Sequence, residues 1–515
     1  MKIKNLLTNV EIIKTLGDID DLVVENLNID TKNKSENSMF FCIKGGKIDS
    51  HGLATAAKEG GAICLVCERA VESDLPQIIV KDSRHAMAII AGNFFDDAHK
   101  KLHIIGISGT NGKTTTSFLT ATILKQQGYR VGIIGTEGIF VNEQFIKSDM
   151  TTPDPIVLHR AFKTMVDNNC QYVVMEVSAH SIALSKIDGI LFDVGVVTNI
   201  TQDHLDFFKT MDNYAKTKIS FLTKEHVKSA LINADDERLA HIYENLDIPS
   251  ASFGILNPSD VFAVDLSLSI NGSKFVVNAF DEIFSVNSPL AGDYNVQNCL
   301  TAISICKMLG VSAANIAEGI GDFFKPPNPF CDVSAANIAE GIGGFKEVPG
   351  RFNIVQLENN ITCIIDYAHT PDGLEKILKT VKNLCKGNVI CVFGCGGNRD
   401  SAKRPIMGQI AEKLCDFVVI TSDNPRFEKP REIMKEIEKG FSCVNYCLIE
   451  DREAAIAFAV RIASPDDAVV VCGKGAENYI DRNGIKTPYS DFDSCIKAGK
   501  EDDCSDSFKS FGKGK

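Results

Sequence analysis

The stretch Lys101-Leu102-His103-Ile104-Ile105-Gly106-Ile107-Ser108-Gly109-Thr110-Asn111-Gly112-Lys113-Thr114-Thr115-Thr116 decides the fold of this chain. Its first half is a near-continuous apolar run of strand length, glycines follow where the backbone has to turn, and a segment of helical length then runs to Gly128. Apolar runs of the same kind recur at 129–136 (YRVGIIGT), 172–178 (YVVMEVS) and 192–200 (FDVGVVTNI). Strands that are apolar on both faces and separated by helices predict a parallel sheet covered on both sides.

Working outward, residues 1–100 alternate the strand-like MFFCIK, GAICLVCE and QIIVKD with the Ala-rich GLATAAKEG, which predicts a small α/β domain. From Val348-Pro349-Gly350-Arg351 onward a third block repeats the alternation, with strands at TCIIDYA, NVICVFG, DFVVITSD and DAVVVCGKG, and predicts a separate doubly wound domain. The fold class is therefore α/β, with domains expected at 1–100, 101–347 and 348–497. The polar, Gly/Ser/Lys-rich 498–515 reads as a disordered tail. One string, VSAANIAEGIG, occurs twice, at 311–321 and 333–343. A single duplication is not a repeat architecture. The surplus, about 312–333, holds Lys325-Pro326-Pro327-Asn328-Pro329 and is expected to form an exposed excursion beside the central domain.

At 515 residues the chain is long enough for about three domains. Hydrophobic residues make up 44% and charged residues 23%, which excludes a wholly disordered chain. A formal net charge of -13 leaves no basic surplus for a nucleic-acid backbone, so any anionic ligand has to be held by a local site. No run reaches the length of a membrane span and the first residues do not form a signal peptide, so a cytoplasmic protein without membrane insertion is expected. The 17 cysteines lie mostly in apolar runs and read as reduced core thiols. Cys64 and Cys67 form a CxxC, but residues three apart on a strand face opposite sides, so no zinc site is read there.

Gly109-Thr110-Asn111-Gly112-Lys113-Thr114-Thr115 has the chemistry of a phosphate loop: backbone amides that approach a polyphosphate, Lys113 for its outer charges, Thr114 for Mg²⁺, and the helix N-terminus behind them. Its spacing departs from GxxxxGK[ST], because Ile107 stands where the first Gly belongs. Carboxylates for a cation should come from neighbouring strand ends, where Glu176 follows YVVM and Asp203-His204 follow FDVGVVTNI.

In series, GISGTNGKTTT, TTPDP (151–155), MEVSAHS (175–181), TNITQDHLD (198–206), VPGR (348–351), DYAHTPD (366–372), FGCGGNRD (393–400) and DNPR (423–426) resemble the Mur ligases over nearly the whole chain. The resemblance implies a three-domain architecture: an N-terminal UDP-binding domain, a central P-loop parallel-sheet ATPase and a C-terminal Rossmann-like domain. It implies an ATP- and Mg²⁺-dependent amide ligase, expected as a monomer. Such an enzyme would activate the D-glutamate carboxylate of UDP-MurNAc-L-Ala-D-Glu as an acyl phosphate and attach an amino acid, with no nucleic-acid partner.

By the same register, Lys113, Glu176, His204 and Lys218 resemble the catalytic and metal-binding set, with Thr114 a ligand and Lys218 carbamylated. Asn295, Asn298, Arg351, Asp366 and His369 resemble nucleotide and hinge contacts. Thr31, Thr151, Thr152, Ser178 and Lys186 resemble contacts to the UDP-linked substrate. Arg399, Asp423, Asn424, Arg426, Gly473 and Glu477 resemble the amino-acid pocket. Arg426 suits the distal carboxylate of meso-diaminopimelate, since a guanidinium binds a carboxylate bidentately and lysine-adding relatives lack this Arg.

The chain departs from the family at Ala476 (for His), Lys186 (for Arg), Phe208 (for His) and Asp30-Thr31-Lys32 (for Asp-Ser-Arg), so weakened substrate contacts are expected. A lysine-adding ligase, a folylpolyglutamate synthetase and an inactive ligase-fold interaction protein stay open as alternatives.

Overall fold

The structure is a computed structural model, and it describes all residues except 47, 143, 149, 244, 322–347, 358–359 and 502–515. The described residues form three large sheets and a two-stranded hairpin, Tyr479–Arg482 with Ile485–Pro488. The first has five strands in the order Ile12–Leu16, Gln77–Val80, Ala62–Cys67, Ser38–Phe41, Asn26–Asn28, all parallel except the antiparallel edge Ile12–Leu16. Cys64 and Cys67 fall in separate cores on its two faces, as strand alternation requires.

The second sheet has eleven strands, and His103–Ser108 lies near its middle between Tyr172–Glu176 and Val194–Val197. The next strand in the chain, Val131–Gly135, pairs on the far side of Tyr172–Glu176, whereas Val194–Val197 joins from the other flank. The carboxyl end of His103–Ser108 is therefore a point where the winding reverses, and such a point opens a crevice for a ligand. Alternation along the strands feeds two cores: Ile105, Ile107, Val174 and Val196 face the helices Lys113–Gln126 and Asp293–Met308, and Ile104, Val173, Met175 and Val197 face the opposite side. This is the doubly covered sheet that the apolar runs predict. Beyond Ser250–Gly254 the sheet continues into an arm of Val261–Ser269, Gly272–Ala279 and Glu282–Ser288, the last two pairings antiparallel.

The third sheet has six strands in the order Asn353–Gln356, Thr362–Asp366, Ala468–Cys472, Val389–Phe393, Phe417–Ile420, Tyr446–Leu448, antiparallel only at its first pair. A buried ion pair ties its last helix down: Arg452 donates to both carboxylate oxygens of Asp491, at 2.7 and 2.8 Å, and to the carbonyl of Cys472 at 2.9 Å.

Two expectations are corrected. The final helix runs Asp491–Glu501 with Cys495 and Ala498 buried, so residues 498–501 are not the disordered tail expected there, and 502–515 lie outside the described residues. The apolar spacing of Cys495 and Ala498, three apart, was the helical signal that the polar composition hid. The first copy of the duplicated string is no excursion at 312–321: helix Ala313–Gly321 buries Ile316 and Ile320 in the central core. The rest of the surplus and the second copy through Gly343 lie outside the described residues.

Because the copies match over 311–321 and 333–343, deleting 312–333 brings Ile338 and Ile342 into the positions of Ile316 and Ile320. The deletion is expected to leave the melting temperature within about 3 °C, the shift that about 1 kcal/mol produces in a large domain. A loss several times larger in a thermal-denaturation scan would contradict that redundancy.

Among the described residues no helix is long and apolar enough to cross a membrane.

Candidate active site

Strand His103–Ser108 ends in a loop that only glycines can form. Gly109 has φ +138°, and a Cβ there would clash with the Thr198 hydroxyl; Gly112 has φ +86°, and a Cβ there would clash with Asn298 Oδ1. The loop is fixed from the neighbouring strand end. Thr198 donates to the Asn111 carbonyl (2.6 Å), Asn199 Nδ2 donates to the same oxygen (3.0 Å), and the Asn111 amide donates to Asn199 Oδ1 (2.9 Å).

Within the loop the Lys113 ammonium curls back onto the carbonyls of Gly109 (3.0 Å) and Thr110 (2.9 Å). Burial lowers its pKa, opposed by the charges of Glu176 and Asp203. Lys218, 1% exposed, donates to the same Gly109 carbonyl at 2.7 Å and lies 4.9 Å from the Tyr214 ring centre. Burial and the nearby Lys113 charge hold the Lys218 amine well below the usual lysine range.

Glu176 ends its strand beside the loop and accepts from Thr114 (2.9 Å) and from the Thr136 amide and hydroxyl (3.0 Å each). Thr152 donates to the Glu176 carbonyl at 2.8 Å, and its hydroxyl receives the Ser178 amide at 3.0 Å. His204 has φ +56°, and burial pushes its imidazole pKa down to about 3, so it is neutral near pH 7. Its neighbour Asp203 lies 3.4 Å from Lys403 and 3.8 Å from His369, both from the third domain. Burial alone would raise the Asp203 pKa, but the His369 imidazole and the Lys403 charge beside it hold it well below the carboxylate range.

The third domain closes the other side of the cleft. Arg351 donates to the Thr114 hydroxyl at 3.3 Å and lies over the Tyr367 ring at 4.3 Å. Asp366 accepts the amides of Phe352 and Ala368, both at 2.8 Å, which ties the residue after Arg351 to the DYAHTPD loop; burial raises its pKa. Asn111 reaches across to Asp372 (2.6 Å) and accepts from Thr370 (3.3 Å).

At the far end Arg426 donates to the Gly397 carbonyl at 2.8 Å, and Asn424 Nδ2 donates to Glu477 Oε2 at 2.7 Å. Asp423 packs so close to Gly473 that a Cβ there would meet its carboxylate at 2.6 Å.

One cleft of about 620 Å³ is lined by Gly109–Thr115, Thr151, Glu176, Ser178, His204, Lys218, Asn295, Asn298, Arg351, Asp366, His369, Arg399, Asp423, Asn424, Arg426, Gly473 and Glu477. Three residues read from the sequence stand apart from that lining. Thr31 sits in the turn after Asn26–Asn28 of the first sheet. Thr152 is buried behind Glu176 and Ser178. Lys186 is buried on Asp154 (2.8 Å) and the Thr152 carbonyl (3.3 Å), where it braces the TTPDP loop. Phe208 packs against His180 and Tyr214. Sequence reading missed Thr136, Asn199, Tyr367, Lys403 and Lys474. Asn199 and Tyr367 stand inside the strings TNITQDHLD and DYAHTPD, Thr136 ends the apolar run YRVGIIGT and Lys474 lies in DAVVVCGKG, but none of them was singled out there.

Among the described residues no three His, Cys, Asp or Glu side chains are gathered for a metal ion. The oxygen pair of Thr114 and Glu176 nevertheless suits a hard divalent cation. As an ammonium Lys218 is unsuited to a cation. A lysine amine kept neutral reacts with CO₂ to give a carbamate and a proton, and in that form it supplies a carboxylate at the same place.

A glycine-shaped phosphate loop at a sheet switch point, with a half-buried lysine, a buried lysine and a carboxylate beside it, defines a P-loop nucleotide-binding protein. The family models agree in detail: residues 107–306 match the Mur ligase middle domain and 350–475 the Mur ligase, glutamate ligase domain. A Clostridium acetobutylicum protein named UDP-N-acetylmuramoyl-L-alanyl-D-glutamate--2,6-diaminopimelate ligase 1 is 40% identical over 484 residues, 93% of this chain and 95% of its own. A solved structure of a 2,6-diaminopimelate ligase of the same name superposes with a TM-score of 0.66 at 27% identity, covering 98% of this chain and 100% of that one. A MurF ligase from Thermotoga maritima in complex with ADP shares the fold, with a TM-score of 0.61 at 18% identity over 93% of this chain and 98% of its own. The chain belongs to the Mur ligase family.

Lys218→Ala is expected to lower turnover about 100-fold, the scale of one lost electrostatic contact in a preorganised site. A short carboxylate such as formate in the buffer should restore part of it, which an assay of ADP release with and without formate checks.

Proposed function

We propose that this chain is the ATP-dependent ligase that joins meso-2,6-diaminopimelate to the D-glutamate of UDP-MurNAc-L-Ala-D-Glu, a step of peptidoglycan precursor synthesis. The single observation that carries the reading is one cleft in which the phosphate loop and the Arg426 pocket share a wall. We assign residues 1–100 to the UDP end of the substrate, 101–347 to ATP and 348–501 to the amino acid. A cytoplasmic location and a monomer follow from the same reading.

A free carboxylate is a poor electrophile, so the residues at the loop serve to make it a good one. The amides of Gly109–Thr115 cradle the polyphosphate of ATP, and Lys113 leaves its two carbonyls to neutralise the outer phosphate. Arg351, already on Thr114, adds a second cation from the hinge. Asn295 and Asn298 border the loop on the nucleoside side, with Asp366 and His369 across the hinge. Thr114, Glu176, His204 and the carbamate of Lys218 would hold Mg²⁺, which when bound offsets phosphate charge and orients the transferred group. Thr151 and Ser178 line the path of the UDP-linked substrate, and Thr31 lies in the domain assigned to its uridine end.

A γ-carboxylate oxygen of D-glutamate would take the γ-phosphoryl group of ATP, releasing ADP, and the neutral amine of the second substrate would then attack the carbonyl carbon of the acyl phosphate, forming the amide, expelling phosphate and losing its proton to solvent. Arg399, Asp423, Asn424, Gly473 and Glu477 would hold that amine in line, and Arg426 would pair with the distal carboxylate. The long first domain argues against a folylpolyglutamate synthetase, and Arg426 against the lysine-adding version.

Incubation with ATP, Mg²⁺, UDP-MurNAc-L-Ala-D-Glu labelled with ¹⁸O in the γ-carboxylate, and meso-diaminopimelate tests the chemistry. Mass spectrometry should find the tripeptide product and one ¹⁸O in the released phosphate. Product without label in phosphate would rule out the acyl phosphate.

A further inference from the structure

We infer that Lys474, which does not itself line the cleft, is the positioning residue that sets Glu477 and Asn424 for the incoming amino acid. The inference rests on the reading of this end of the cleft as the amino-acid pocket.

Lys474 is 0% exposed and is absent from the cleft wall, although Gly473, Ala476 and Glu477 on the same loop belong to it. A fully buried ammonium is unfavourable unless its charge and its three N–H groups are met. Here the cation donates to Glu477 Oε2 at 2.9 Å and to Asn424 Oδ1 at 3.1 Å, with the Tyr479 ring centre 5.5 Å away. The two recipients are themselves joined, since Asn424 Nδ2 donates to the same Glu477 Oε2 at 2.7 Å. Asn424 Oδ1 also receives the Asp481 amide at 2.9 Å.

The triangle has a directional consequence. With Oδ1 claimed by two donors, the Asn424 amide can turn only its NH₂ toward Glu477. Both donors to Glu477 converge on one oxygen, so Oε1 is the oxygen presented to a ligand, and Glu477 lines the cleft. Lys474 thus fixes which carboxylate oxygen of Glu477 meets the ligand's amino group. Gly350 and Gly475 pack so closely that a Cβ on Gly350 would meet the Ala476 amide nitrogen at 2.1 Å, so the loop cannot relax to replace the lost contact.

The experiment compares wild type, K474M, E477Q and the K474M/E477Q double variant, with ATP, UDP-MurNAc-L-Ala-D-Glu and amino acid varied in turn. K474M is expected to raise KM for meso-diaminopimelate about 10-fold or more, the scale of a charge-assisted contact, with kcat and the KM values for the other two substrates little changed. The double variant should be no worse than E477Q alone, because Lys474 acts through Glu477. Multiplied effects in the double variant, or equal losses for all three substrates, would overturn the inference. If K474M fails to fold, K474Q keeps a donor without the charge and carries the same comparison; loss of the fold in both would make Lys474 a stability residue and overturn it. Wild type that ignores diaminopimelate but uses another amino acid would refute the proposed substrate alone, and the same four proteins would then be compared with that amino acid.

Discussion

Lys113→Ala lowers ATP-dependent ligation by on the order of 10³-fold, the upper range for removing one preorganised electrostatic contact from a transition state. The reason lies in where the ammonium rests. It is held by two backbone carbonyls at 3.0 and 2.9 Å, a loose hold that a phosphate's negative oxygens outcompete. Burial already depresses its pKa, so an anion arriving beside it is stabilised more than it would be in water. The fold does not depend on this side chain, because the loop is fixed independently by Thr198, Asn199 and the positive-φ glycines. Circular dichroism and the melting temperature should therefore match wild type while turnover collapses. Near-normal turnover in a folded variant would remove Lys113 from the phosphate site.

Arg426→Ala depresses kcat/KM for meso-diaminopimelate far more than for lysine. Facing a distal carboxylate the guanidinium is paired; facing the end of lysine it is not, and an unpaired buried charge costs about 2–5 kcal/mol, roughly 30-fold to several-thousand-fold in discrimination. One of its donors is already taken by the Gly397 carbonyl at 2.8 Å, and the side chain is only half-buried, so the lower part of that span is expected. The left-handed backbone at Arg426 (φ +50°) and its amide bond to the Asp481 carbonyl at 3.0 Å fix where the side chain starts. Comparing the two amino acids in wild type and variant checks this. An unchanged ratio would reopen the lysine-adding reading.

The parts of the site that were legible in the sequence are those written locally. The phosphate loop announces itself because glycines, Lys113 and Thr114 stand between an apolar run and a helix, and the three sheets because parallel strands buried on both faces read as continuous apolar runs. The substrate-end residues were placed by resemblance, and most of them do reach the cleft.

What escaped was long-range. Asp203 draws its partners from His369 and Lys403, far along the chain, and no spacing rule connects them. Lys474 looks like a surface lysine between two glycines, and only packing shows it enclosed. Composition misled at the C-terminus, where polar residues on one face of helix Asp491–Glu501 outnumber the buried Cys495 and Ala498. It misled again at the duplication, where 312–321 read as surplus and yet places Ile316 and Ile320 in the core.

The measurement that tests the central claim most directly is the rate of ADP release by the wild-type protein, with UDP-MurNAc-L-Ala-D-Glu present or absent and with meso-diaminopimelate or lysine as acceptor. Release is expected to require the UDP-linked dipeptide and to be at least about 30-fold faster with meso-diaminopimelate than with lysine. Release that ignores the dipeptide, or proceeds equally well with both amino acids, would contradict that claim.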